Sequence, residues 1–370
     1  MRQRLACAFI LISFMICPLG PRAQEFPGKP TTDSGPILEY SDIRGPGGPG
    51  FVPAVIDRKA KAPDYPSNEI RNDTEAWVIV SYTIAPDGTV QDAKVTDSVG
   101  PQTLRQRALA AVNSMHFVPA TLNGVPASQN RSTQVAFFIA YPTPGARPEV
   151  VSAYKKAYAR LKQGDPQTAI DLLEPMQKEE HLNFYERAMM SDLAGLARLK
   201  LGQIDLAQRE FSHAVWSDGK YLGKSTMPAT YLGLIQTEVQ LGHFAEAHED
   251  LEKMTKVVPA TNESLQEAKA TVANIDAALA KPGAISIPAH ISVPEHADEE
   301  AVWRHKPSRK TIAFNDLKGK LDRFEIRCDT TTVKGKVETE YEYTLPTSWN
   351  KCWLNVYGEP GASFTLVEAP

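Results

Sequence analysis

The feature that most constrains this 370-residue chain is a pattern that occurs three times between residues 150 and 280. Ala157, Gly164, Ala169, Leu173 and Met176 are followed by Gly195, Gly202, Ala207, Phe211 and Ala214, and then by Ile235, Gly242, Ala247, Leu251 and Met254. The offsets of 0, 7, 12, 16 and 19 are the same each time. A glycine between two stretches of apolar residues at helical spacing predicts a helix, a tight turn and a second helix. Such a hairpin cannot bury its apolar face alone, so three in succession predict a stack.

The offsets resemble those of tetratricopeptide repeats, in which small residues sit where the two helices cross and glycine turns the chain between them. Successive units here lie 38 and 40 residues apart rather than about 34, which implies longer connections, and the family's usual Trp is missing. The resemblance implies a concave surface that holds a protein segment. A helical spacer without a client is the other reading.

The N-terminus speaks to the compartment. Arg2 and Arg4 precede the apolar run Leu5 to Leu19, which is followed by Gly20 and by Arg22-Ala23-Gln24. That order is expected of a secretory signal peptide over residues 1–23. At 1.5 Å per residue, about 15 residues span roughly 22 Å, short of a hydrocarbon core of roughly 30 Å. The expected location is the periplasm. An uncleaved N-terminus, anchored in the inner membrane and facing the periplasm, is the alternative. Net charge is −4, from 40 Lys plus Arg and 44 Asp plus Glu, and no basic face is concentrated anywhere. Nucleic acid is therefore excluded as a partner. Beyond the signal only Cys328 and Cys352 remain, and in an oxidising compartment they are expected to form one disulfide.

Residues 24–62 are rich in Pro and Gly, including Gly45-Pro46-Gly47-Gly48-Pro49-Gly50, and read as a linker that tethers without folding. From Ala76 apolar residues alternate: Val78, Val80, Tyr82 and Ile84 share one face, and Pro86-Asp87-Gly88 predicts a hairpin turn. A return strand over Val90 to Asp97 leads to Gly100-Pro101 and a helix. Its Leu104, Ala108, Ala111, Val112 and Met115 fall on one face. An Asn123-Gly124 turn precedes a last strand, Thr133 to Ala140. The unit is ββαβ. After a join at 281–306, Ile312 to Phe314, Leu321 to Cys328, Val337 to Leu345, Trp353 to Tyr357 and Ser363 to Val367 read as strands of a small antiparallel domain over 307–370, stapled by the cysteine pair. The fold class expected is α+β and multidomain: a ββαβ unit at 63–141, helical hairpins at 150–280 and the C-terminal β domain.

The order Tyr65-Pro66, strand, Pro86-Asp87-Gly88-Thr89-Val90, Ser98-x-Gly100, helix, Met115-His116-Phe117-Val118-Pro119-Ala120, Asn123-Gly124 and closing strand resembles the C-terminal domain of TonB-type energy transducers. The resemblance covers residues 63 to 141. It implies a periplasmic, non-enzymatic module that captures an extended segment of an outer-membrane TonB-dependent transporter, or of another protein, by strand addition. In that family the last strand is the docking edge and the Tyr-Pro pair lies near it. Carried over, the edge is Thr133, Gln134, Val135, Ala136, Phe137, Phe138, Ile139 and Ala140, with Tyr65 and Pro66 beside it. Strand addition uses main-chain groups, so Val135, Phe137 and Ile139 are expected in the core. A transducer proper also couples to an inner-membrane motor, which applies only if the N-terminus stays anchored. An adaptor whose helical repeats hold the client is the other alternative.

No catalytic constellation, cofactor site or metal site is expected. Gly219-Lys220-Tyr221-Leu222-Gly223-Lys224-Ser225-Thr226 has three residues between its glycines where a phosphate loop needs four. No GxSxG elbow occurs, and His243 and His248 lie five apart, which turns them away from each other on a helix. The acidic cluster at Glu295, Asp298, Glu299 and Glu300 reads as solvated charge in a linker.

Overall fold

The computed structural model describes residues 33–37, 50–57, 62–140, 145–178, 181–296, 299–339, 341–349 and 351–370. The signal-peptide expectation at 1–23 lies outside them. Among the described residues no helix is long and apolar enough to cross a membrane.

The N-terminal unit comprises β1 (Asp33–Ile37), β2 (Phe51–Val52), β3 (Val55–Ile56), α1 (Ser67–Arg71), β4 (Ala76–Ile84), β5 (Val90–Val99), α2 (Gln102–Asn113), β6 (Phe117–Val118), β7 (Ala120–Leu122), β8 (Val125–Ala127) and β9 (Gln129–Ala140). Its main sheet is antiparallel in the order β1-β9-β4-β5. The alternation in β4 works as expected, with Val78, Val80, Tyr82 and Ile84 wholly buried beneath Leu104, Ala108 and Val112 of α2. Each such large apolar side chain contributes about 1.5–3 kcal/mol on burial. The β4–β5 turn is set by Asp87, whose Oδ1 accepts from Thr89 N at 3.0 Å and Thr89 Oγ1 at 2.6 Å. Gly88 follows at φ +87°, where a Cβ would lie 2.0 Å from Phe117 O.

The described parts of the 24–62 stretch do more than tether. β2 pairs with β7, β3 pairs with β6, and β1 joins the main sheet against β9. Proline and glycine weaken a central strand, but an edge strand tolerates them because one side of its backbone needs no ladder partner.

Among the described residues seven helices follow: α3 (Pro148–Lys162), α4 (Pro166–Gln177), α5 (Phe184–Lys200), α6 (Ile204–Ala214), α7 (Met227–Leu241), α8 (Phe244–Val257) and α9 (Glu263–Leu279). Consecutive helices pack on one another in chain order. The repeated glycines turn the chain at φ +80° (Gly164), +72° (Gly202) and +77° (Gly242). Small residues admit a ring: Phe211 is buried between Gly195 of α5, a repeat position, and Gly233 of α7, where added Cβ atoms would lie 2.7 and 3.0 Å from it. Asn183 caps α5 in a reciprocal box with Glu186, and Asp165 and Asn262 cap α4 and α9.

Among the described residues the C-terminal unit has eight strands: β10 (Ile285–His290), β11 (Val302–His305), β12 (Thr311–Lys318), β13 (Leu321–Arg327), β14 (Thr332–Gly335), β15 (Glu342–Thr344), β16 (Trp353–Gly358) and β17 (Ser363–Ala369). They form two antiparallel sheets, β10-β17-β12-β15 and β11-β16-β13-β14. Phe314, Phe324, Ile326, Leu354, Val356 and Leu366 are buried in their shared core. Two boundaries therefore move. β10 and β11 lie in the 281–306 stretch read as a join, because Ile287 and Ala289 complete this core. The strand expected over Val337 to Leu345 is reduced to β15 at Glu342–Thr344, which pairs with β12, while β14 at Thr332–Gly335 precedes that span and pairs with β13 in the other sheet. Cys328 and Cys352 are disulfide-bonded.

The three units pack on one another. Trp77, Ala136 and Phe138 on the second face of the main sheet meet Phe184, Trp216 and Tyr221 of the helical unit. On the C-terminal side, Arg327 donates to Thr83 Oγ1 at 3.1 Å, and the Asn130 amide donates to Asp329 O at 2.7 Å.

Candidate functional site

The expected docking strand runs through the middle of its sheet. Val135, Phe137 and Ile139 point into the core under α2, as expected of them. On the other face Ala136 and Phe138 pack towards the helical unit, and Gln134 Oε1 accepts from Trp216 Nε1 at 3.0 Å. Thr133 is buried, its hydroxyl 2.8 Å from Tyr82 OH. With both faces covered, side chains of β9 offer little to a partner, and recognition along this strand has to use the backbone.

The direction of the backbone groups follows from two hydrogen bonds. The Asn130 amide, although its residue lies opposite Thr83 of β4, donates to Asp329 O on the far side. The Ile139 amide donates to Glu75 Oε1 at 2.7 Å, just before β4 begins. Amides alternate in direction along an antiparallel ladder, so odd-numbered residues of β9 face β4 and even-numbered ones face outward. The outward groups of Ala136, Phe138 and Ala140 lie opposite Ile37, Gly35 and Asp33 of β1. Pro36 lies opposite Phe137, whose amide points the other way, so its missing N–H costs this ladder nothing. The strand expected to present an open margin over Thr133 to Ala140 is thus closed over Ala136 to Ala140 by a segment of its own chain, in antiparallel pairing.

Tyr65 lies in the core, on the face of the sheet that carries Phe137. The Tyr65 ring is buried edge-on to Phe137 at 5.3 Å, and its hydroxyl donates to Thr74 O at 2.5 Å. Burial, aided by the charges of Glu75, Glu69 and Asp73, pushes that hydroxyl far above the ordinary tyrosine range. Pro66 is the N-cap of α1 and lines a shallow hollow with Glu69, Thr103 and Arg107. Tyr65 is therefore a support beneath β9 rather than a contact beside it.

Sequence reasoning missed Glu75. Its carboxylate is 3% exposed and joins two units, accepting from Ile139 N of β9 and from Phe184 N of α5, each at 2.7 Å. Burial raises its pKa to about 7, against the opposing pull of those two amides and of Arg187. Nothing in its sequence setting singles it out. Trp77 did carry a signal, since a tryptophan on the nominally polar side of an alternating strand implies that this side is covered as well. Among the described residues no group of three or more His, Cys, Asp and Glu is arranged to hold a metal ion.

A sheet of β4, β5 and β9 backed by α2, reached from the Tyr65-Pro66 start and turned at Pro86-Asp87-Gly88, is the geometry against which the comparison stands. Residues 61–139 match the family model of the Gram-negative bacterial TonB protein C-terminal. The matched family consists of non-enzymatic protein-interaction domains associated with the cell envelope and its transport. That family generally engages outer-membrane transporters. A comparison of the whole chain with curated proteins finds no match.

Proposed function

We propose that the chain is a periplasmic interaction protein whose TonB module takes an extended segment of a partner, an outer-membrane transporter first among them, as a strand added to the outer side of β9. The carrying observation is β1. A five-residue segment from well upstream already lies antiparallel along Ala136 to Ala140, which is how a guest strand would lie. Capture then proceeds by exchange: the partner's segment takes the hydrogen bonds of the outward groups of Ala136, Phe138 and Ala140, and β1 is released. Short length favours such an exchange, because few ladder bonds hold β1 in place.

The test is peptide capture by the exported chain and by a variant lacking residues 33–37. Immobilised protein is offered extended N-terminal peptides of transporters, with a scrambled peptide as control. The deletion variant is expected to bind more tightly than the intact chain, since no displacement is required. Ala136→Pro or Phe138→Pro should abolish capture, because each removes an outward amide. Proline at Val135 or Phe137 would instead strike the β4 ladder and the fold. Equal and weak binding by the intact and deleted chains would overturn the reading.

A further inference from the structure

A cavity of about 750 Å³ lies where the sheet module, the helical unit and the segment around Glu295 meet. Its volume is in the range of sites that hold small organic ligands. Four features of its wall point to one chemistry. The N-terminus of the 12-residue α2 opens into it at Gly100, Pro101 and Gln102. No side chain caps that end and its first turn carries no acidic residue, while Leu104 and Arg105 amides bond back to Pro101 O. The amides of Gln102 and Thr103 are the donors that a helix cannot satisfy by itself, and the helix dipole adds positive potential there.

Independently, Ser98 lines the same cavity. It is 3% exposed, and its Oγ has no hydrogen-bond partner among the described residues. A buried hydroxyl left in that state costs on the order of 1–3 kcal/mol, which a ligand acceptor would remove. The charge around it is the third feature. Arg105, Arg187, Arg198, Arg209 and Lys178 line the cavity, against the carboxylates of Glu174, Glu210 and Glu295. All three carboxylates are already engaged: Glu174 and Glu210 by Arg198 at 3.2 and 3.7 Å, Glu210 also by Gln177, and Glu295 by Arg209 at 3.8 Å. Arg105 and Arg187 hold polar or electrostatic partners of their own, and Glu299 lies close enough to Arg105 to interact with it. The fourth feature is aromatic. Trp77, Trp216 and Tyr221 line one wall, stacked at 5.9 and 5.7 Å with interplanar angles of 9° and 12°.

From these features we propose that the cavity is a binding site for a small organic oxyanion, a carboxylate or phosphate carried on a flat apolar body. The oxyanion sits at the α2 N-terminus, accepting from Ser98 Oγ and the Arg105 guanidinium, and the body lies against the tryptophan wall. The site is separate from the outer side of β9 and does not depend on strand exchange.

Calorimetric titration of the full chain with phenyl phosphate and with phenylacetate tests it, with inorganic phosphate as the ligand lacking a body and benzyl alcohol as the body lacking a charge. Saturable binding is expected for at least one of the two aromatic anions. Inorganic phosphate should bind about tenfold more weakly, and benzyl alcohol not at all. Arg105→Gln should weaken binding about tenfold, the loss of one charge-assisted hydrogen bond. The gentler Ser98→Ala should weaken it several-fold while leaving the melting temperature unchanged or raised. Glu299→Gln should tighten it, because a competitor for Arg105 is gone. No saturable heat from either aromatic anion up to 10 mM, or affinities unmoved by both Ser98→Ala and Glu299→Gln, would overturn the proposal.

Discussion

Glu75 is where one residue couples two units, and its protonation gives that coupling a pH dependence. An unfolded glutamate releases its proton near the ordinary 4.5, whereas this one holds it to about 7 because burial disfavours the charge. Between those values the folded chain carries a proton that the unfolded chain has lost, so stability falls as pH rises through that window and levels off above it. The Glu75→Gln variant should lose this slope, seen as a smaller difference between its denaturant midpoints at pH 5 and pH 8 than the parent shows. Asp87 and Asp165 are shifted the other way, downward, by hydrogen bonds from Thr89 and Thr168, but Asp87 is exposed and Asp165 half-buried, so both weigh little in that comparison.

Among the elements, β1 and β9 make the sharpest claim. The outward amides of Ala136 and Phe138 depend on a five-residue edge strand, while the inward amides of Val135 and Phe137 depend on the nine-residue β4. Native-state hydrogen exchange should therefore alternate along β9, with the even positions exchanging well before the odd ones. Uniform protection would mean that β1 is held as firmly as β4. The sequence showed much of this unit and hid this part of it. The alternation of Val78, Val80, Tyr82 and Ile84, the Asp87-Gly88 turn and the α2 face were all readable because each is a local pattern with a period. β1 was not, since Asp33-Ser34-Gly35-Pro36-Ile37 has the composition of a linker and gains its structure only from a partner about a hundred residues away. In the helical unit, the turn glycines and the seat of Phe211 against Gly195 were readable from the repeated offsets. The shortening of the strand expected over Val337–Leu345 to Glu342–Thr344 followed from no local pattern, because pairing partners are a property of the tertiary fold. The same holds for the cavity: Ser98, Arg105 and Arg187 acquire a common purpose only when three units close around them.

For the whole molecule, the three units share boundaries that none of them satisfies alone. The second face of the main sheet is buried by Phe184, Trp216 and Tyr221, and the Asn130 side chain donates to Cys328 O at 2.7 Å beside the disulfide. Closing the 24-residue separation between Cys328 and Cys352 contributes about 3–4 kcal/mol by chain entropy. Reduction should lower the melting temperature of the C-terminal unit and also increase exchange at the Asn130 amide, which bonds to the loop that the disulfide braces. A change confined to the C-terminal unit would show the two to be independent. The tryptophan stack has a practical corollary. Cutting the chain at the limits of the family match would leave Trp77 facing water, so a recombinant piece spanning only 61–139 should be sticky, and any dimer it forms would report the missing helices rather than the habits of the intact protein.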